Sequence, residues 1–142
     1  MSDIHGYFFE DLKVGMTSAT ARTVTDADIV LFAGVSGDTN PLHLNQDYAA
    51  TTMFKSRIAH GMLSAAYISA VLGTKLPGPG AVYVAQTLRF KAPVRVGDTV
   101  TARVEVTELL AEKKRAIFKT ECMVAGKPVI EGEATLMIPS RG

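Results

Sequence analysis

"GMLSAAYISAVL", residues 61–72, carries no charge and no proline, and apolar or small side chains cover nearly every side of its helical projection. A helix without a polar face is one the rest of the fold must surround. The segment predicts a helix over about 61–72, buried all round. The uncharged run containing it, Ile58 to Thr74, is 17 residues long and includes His60, Gly61, Ser64, Ser69 and Gly73. That is too short and too polar for a bilayer span.

Beyond the helix, Leu76-Pro77-Gly78-Pro79-Gly80 breaks the pattern and the period falls to two. Val82, Val84, Leu88 and Phe90 share one face, interrupted by Gln86, and Tyr83, Thr87, Arg89 and Lys91 share the other. Val100, Ala102, Val104 and Val106 alternate with polar neighbours, as do Phe118, Thr120, Cys122 and Val124, then Ile130, Ala134, Leu136 and Ile138. These are half-buried antiparallel strands. Turns at Gly97-Asp98, near Lys113-Lys114 and at Gly126-Lys127 predict a meander. A sheet with one apolar face and a helix that is apolar all round satisfy each other if the sheet curls about the helix. The expected class is α+β, with one domain over 1–142.

Upstream, "TDADIVLFAGVSG" predicts a helix over about 26–36, opened by a capping-box pair, Thr25 and Asp28, and stopped by Gly37. Next comes "SGDTNPLH", residues 36–43. Pro41 lacks an N–H and pushes Asn40 toward extended geometry, so Asp38 and His43 are expected on a loop. A second, short helix is expected around Asp47 to Met53.

Composition removes several function classes. Lys and Arg number 15 against 14 Asp and Glu, and the longest basic block is Lys113-Lys114-Arg115, so no surface invites nucleic acid. The only cysteine, Cys122, excludes an intrachain disulfide, and no Cys/His set has zinc-site spacing. Asp38, His43, Asp47 and His60 lack paired spacing on one element, so no metal is expected. A reducing, cytoplasmic setting fits the lone thiol. The stretch MSDIHGYFFEDLKVG lacks the basic and apolar regions of a secretory signal.

Asp38 and His43 bring together groups with reference pKa values of about 3.9 and 6.5, so near neutral pH one can accept a proton while the other holds one. The bland reading is an Asx-Pro turn with a histidine beside it. "FAGVSGDTNPLH" followed by "IAHGML" and "RFKAPVRVGDTVTARVEV" resembles the MaoC-like dehydratases and (R)-specific enoyl-CoA hydratases, from about Phe9 to Ile138. The resemblance implies a hot-dog fold, a curved antiparallel sheet around a long central helix, with an additional helix and an active-site loop as an overhang. It implies that Asp38 and His43 are catalytic, that the Gly61 amide binds the thioester oxygen, and that Ser69 lies beside the pair; Asn40 and Ser69 are expected to orient it. The implied reaction is reversible hydration of a short- to medium-chain trans-2-enoyl-CoA to the (3R)-hydroxyacyl-CoA. Coenzyme A is then part of the substrate, no separate cofactor is needed, and the implied assembly is a homodimer.

Gln86, Arg89 and Lys91 are candidate substrate contacts, and Lys55 and Arg57 are further basic residues near the inferred site. His60, before Gly61, reads as a helix-start residue with structural hydrogen bonds. Three competing readings share the fold: an acyl-CoA thioesterase, a dehydratase acting on acyl carrier protein, and a noncatalytic acyl-CoA-binding or interaction subunit.

Overall fold

The computed structural model describes residues 2–142. A 3-10 turn at Phe9–Asp11 leads into strand β1 (Thr17–Thr23), and helices α1 (Asp26–Ser36), α2 (Pro41–Leu44), α3 (Gln46–Ala50) and α4 (Gly61–Thr74) follow. Strands β2 (Val82–Phe90), β3 (Thr99–Leu110), β4 (Arg115–Val124) and β5 (Lys127–Met137) complete the chain. The five strands form one antiparallel sheet in the order β1-β3-β4-β5-β2.

The inward faces of β3, β4 and β5 follow the expected alternation. Val100, Ala102, Val104 and Val106, then Ala116, Phe118 and Cys122, then Ile130, Ala134 and Leu136 are all buried. They pack on Leu63, Ile68, Val71 and Leu72 of α4 in one hydrophobic cluster. This is the helix-in-sheet arrangement of the hot-dog fold. The helix is not covered on every side, however. Met62, Ala66, Ser69 and Ala70 form an exposed stripe, because a single sheet can wrap only part of a cylinder.

Only β3, β4 and β5 form a meander. Strand β2 pairs with β5 rather than β3, so the Gly97-Asp98 turn ends a crossover and joins no hairpin. A bulge between Tyr83 and Ala85 shifts the register of β2, an edge strand on which Val82, Val84 and Phe90 remain about half exposed. The other edge, β1, was not foreseen. Its sequence, TSATART, offers no apolar face, and it is held by seven residue pairs with β3.

Helix α1 begins as expected. The Thr25 hydroxyl accepts from Asp28 N–H at 3.1 Å, and the Asp28 carboxylate accepts from Thr25 N–H at 2.9 Å. Gly37 ends it at φ 79°, a left-handed position suited to glycine. Helix α3 is shorter than expected, ending at Ala50. Pro41 does not hold its surroundings in a loop: it occupies the first turn of α2, where its missing N–H costs nothing.

Candidate active site

His43 therefore sits on a one-turn helix and only Asp38 on the loop. Asn40 organises both. Its Oδ1 accepts from Leu42 N–H at 3.0 Å, capping α2, while its own N–H donates to Asp38 Oδ1 at 3.2 Å. Donor atoms of Asp38, His43 and His60 all lie within 4.8 Å of one another. His43 is buried and its Nδ1 is 2.8 Å from the Ile58 carbonyl. A carbonyl can only accept, so Nδ1 carries a proton and Nε2 is the ring nitrogen left to exchange one.

The segment just before α4 holds this arrangement. Arg57 Nε donates to the His43 carbonyl at 2.6 Å, and its guanidinium pairs with Asp26 at 2.7 Å. Arg57 is thus a brace between α1 and α2 and not a free cation. The His60 ring stacks on His43 at 3.9 Å between centroids. The two ring planes stand 30° apart, and one nitrogen of each ring is already engaged by a main-chain carbonyl, His43 Nδ1 by that of Ile58 and His60 Nε2 by that of Asp38.

A cavity of about 520 Å³ opens beside His43. Met53, Phe54, Ile58, Met62, Phe90 and Val94 give it an apolar wall, and Gly61, Ser64 and Lys91 also line it. Its size suits an acyl group. Gly61 is the first residue of α4, and the N-cap, His60, makes no side-chain cap bond to the helix. Leu63 N–H turns back to the His60 carbonyl at 3.1 Å, which leaves the Gly61 and Met62 amides for a ligand, at the end where the helix dipole favours negative charge. A Cβ on Gly61 would lie 2.6 Å from the Phe90 ring, so Phe90 fills the space that the glycine leaves.

Residues 11–133 match the MaoC like domain family. The chain belongs to this family. This MaoC-like protein is 65% identical over 140 residues to an (R)-specific enoyl-CoA hydratase of Rhodospirillum rubrum, covering 99% of this chain and 97% of that one. It is 48% identical to a 3-hydroxybutyryl-CoA dehydratase of Methylorubrum extorquens over 99% of this chain and 90% of the other. Among solved structures it resembles the unliganded R-hydratase of Pseudomonas aeruginosa with a TM-score of 0.91 at 47% identity, over 97% of this chain and 89% of that one.

Not every candidate residue joins the site of this MaoC-like chain. Ser69 is exposed two helical turns along α4 from Gly61, about 12 Å along the axis, and does not line the cavity of its own chain. The serine that lines the cavity is Ser64, whose buried hydroxyl has no partner. One turn beyond Gly61 was the signal for it. Gln86 lies outside the cavity lining: its Nε2 donates to the buried Thr120 hydroxyl at 3.0 Å, and its Oε1 bonds the Tyr83 hydroxyl. Arg89 is exposed and does not line the cavity, whereas Lys91 does and pairs with Glu131 at 3.4 Å. Asp38 is exposed and off the lining, yet within reach of His43. Burial pushes the Cys122 thiol up to about 12, so it is no nucleophile.

Proposed function

We propose that this chain catalyses the reversible addition of water to a trans-2-enoyl-CoA, giving the (3R)-hydroxyacyl-CoA. The observation that carries the reading is a carboxylate and an imidazole within 4.8 Å of each other, at a cavity whose wall includes the uncapped start of α4. Asp38 and His43 hold one water between them. Its oxygen adds to the β carbon, its proton passes to the pair, and one proton returns from the pair to the α carbon. Charge that builds on the thioester oxygen meets the Gly61 amide, a class of donor worth about 2.7 to 4 kcal/mol. The addition is redox-neutral and every proton has a carrier in Asp38 and His43, so the reaction as proposed calls for no separate cofactor.

The acyl group enters the apolar cavity, which suits crotonyl and somewhat longer chains, while Lys91 at its rim faces the coenzyme A end. A second copy of the chain covers the open edge of β2, where Val82, Val84 and Phe90 are exposed. Phe90 belongs to that strand and also lines the cavity, so the sites of the homodimer lie near its interface. Among the described residues no helix is long and apolar enough to cross a membrane. A cytoplasmic setting suits the single, buried thiol.

The test is crotonyl-CoA with purified protein, reading the loss of conjugated-enoyl absorbance beside a free-thiol assay. Absorbance loss without thiol is expected. Thiol release would instead make the chain a thioesterase, and saturable binding of crotonyl-CoA without turnover would make it a binding protein.

A further inference from the structure

Asp38 stands on an exposed turn that its own neighbours only partly fix. Asp38 N–H donates to the Ser36 hydroxyl at 3.1 Å, Thr39 N–H to the Gly37 carbonyl at 3.1 Å, and Asn40 N–H to the Asp38 carboxylate. All of these reach no further than two residues. Among the described residues, residues 37–40 receive one hydrogen bond from a distant part of the chain: His60 Nε2 donates to the Asp38 carbonyl at 2.9 Å. The same ring is 2% exposed, stacks on His43 on one side and meets Phe32 of α1 at 4.9 Å between centroids on another.

We propose that His60 is a positioning residue, whose Nε2–H fixes the main chain of Asp38 and whose ring face fixes the imidazole of His43. It sets the spacing between the two groups without touching substrate. The inference rests on the reading that Asp38 and His43 perform the hydration. Three features separate His60 from an ordinary helix-start histidine. Its ring does not cap α4, so its polar contact belongs to the catalytic turn. Its other nitrogen, Nδ1, is buried without a partner, so the ring is not held by a second bond of its own. Finally, it contacts both members of the pair, which approach each other from different elements, a loop and a one-turn helix.

The two ring nitrogens allow a test by shape. A glutamine can place its Nε2 near the position of the histidine Nε2 and donate to the Asp38 carbonyl, whereas an asparagine reaches only toward Nδ1. Neither keeps the aromatic face, so their difference isolates the hydrogen bond, and His60→Phe reports on the face alone. Displacing a catalytic group by about 1 Å can cost on the order of 100-fold. With crotonyl-CoA, His60→Asn is expected to lose about 30- to 100-fold in kcat with KM within about threefold of the parent. His60→Gln is expected to stay within about tenfold of the parent and clearly above His60→Asn.

Inhibition by butyryl-CoA, which binds but lacks the double bond, should be nearly the same for both variants, a readout that general loosening of the fold would move. Equal kcat for the glutamine and asparagine variants would overturn the proposal, as would a loss of butyryl-CoA affinity as large as the loss in kcat. Asp38→Asn and His43→Gln are measured alongside. If these two turn over normally, the catalytic reading itself falls and the proposal falls with it. If they are inactive while His60→Asn is not impaired, only the proposal fails.

Discussion

Adding one methyl group at Gly61 should separate catalysis from stability. The Cβ of Gly61→Ala would lie 2.6 and 2.7 Å from two carbons of the Phe90 ring, whereas unstrained carbon contacts lie at about 3.5 to 4.0 Å. The ring must retreat by roughly 1 Å. Phe90 is half exposed, so it has somewhere to go, and the cost sits at the low end of the roughly 1 to 3 kcal/mol typical of overpacking. Against this, alanine is a better helix residue than glycine by up to about 1 kcal/mol, and Gly61 has no positive φ for alanine to violate. The two terms nearly cancel, so the melting temperature should move by no more than roughly 5 °C.

Activity should not be spared. The new methyl and the displaced ring both occupy the approach to the first-turn amides of α4. Losing that donor is worth about 2.7 to 4 kcal/mol, or roughly 100- to 1,000-fold in kcat. Steady-state hydration of crotonyl-CoA beside a thermal melt reads both quantities. Turnover within threefold of the parent would refute the assignment of the thioester oxygen to this helix start. The double variant Gly61→Ala/Phe90→Ala removes the clash with the ring but not the methyl at the amide. If it regained full activity, Phe90 and not the amide would be the cause.

Other consequences follow from single contacts. Asp28→Ala removes the carboxylate half of the cap of α1, leaving the Thr25 hydroxyl on the N–H of residue 28, and should lower stability by about 0.5 to 1 kcal/mol in a denaturant titration. The bond from Thr25 N–H holds the Asp28 carboxyl below its ordinary value of 3.8. Its contribution should therefore be complete above about pH 4 and disappear as pH falls through the lower folded value, leaving parent and variant equally stable in strong acid. Gly132→Ala would put a Cβ 1.9 Å from the Thr87 carbonyl oxygen, a backbone clash between β5 and β2. It should cost about 3 kcal/mol or more by the same titration, with amide exchange rising first along β2. Thr120→Val takes an acceptor from Gln86 in a buried spot and should cost about 1 kcal/mol with kcat unchanged, because neither residue lines the cavity.

The fold was legible where burial imposes a period. Alternation along β3, β4 and β5 and the charge-free α4 follow from facing a core, and those residues lie where the pattern puts them. β1 left no such trace, because small and polar residues on an edge strand are held mainly by main-chain bonds that any sequence can make. The strand order was equally hidden, since β2 and β3 follow each other in sequence but lie on opposite sides of the β4–β5 pair. The exposed stripe of α4 shows the limit of a one-chain reading. An apolar surface tells that something covers it, and the sequence does not say whether the cover is its own sheet or another copy.

The site shows the same division at finer grain. A proton carrier or an anion-binding amide needs a particular residue type or a helix start, so Asp38, His43 and Gly61 stand out by their chemistry. The groups that hold them act largely on carbonyls. Arg57 grips the carbonyl of His43, His43 grips that of Ile58, and His60 grips that of Asp38. Every residue carries a carbonyl, so nothing in the letters marks the acceptor, and a donor such as Arg57 reads as a surface cation until its partner is known. Ser69 is the opposite case, a residue of suitable type on the exposed face of α4, outside the cavity lining of its own chain. Support through the main chain also tolerates changes in the supported side chain: Asp38→Asn would leave the bond from His60 to its carbonyl intact. Loss of activity in that variant would therefore report the carboxylate itself and not the collapse of its turn.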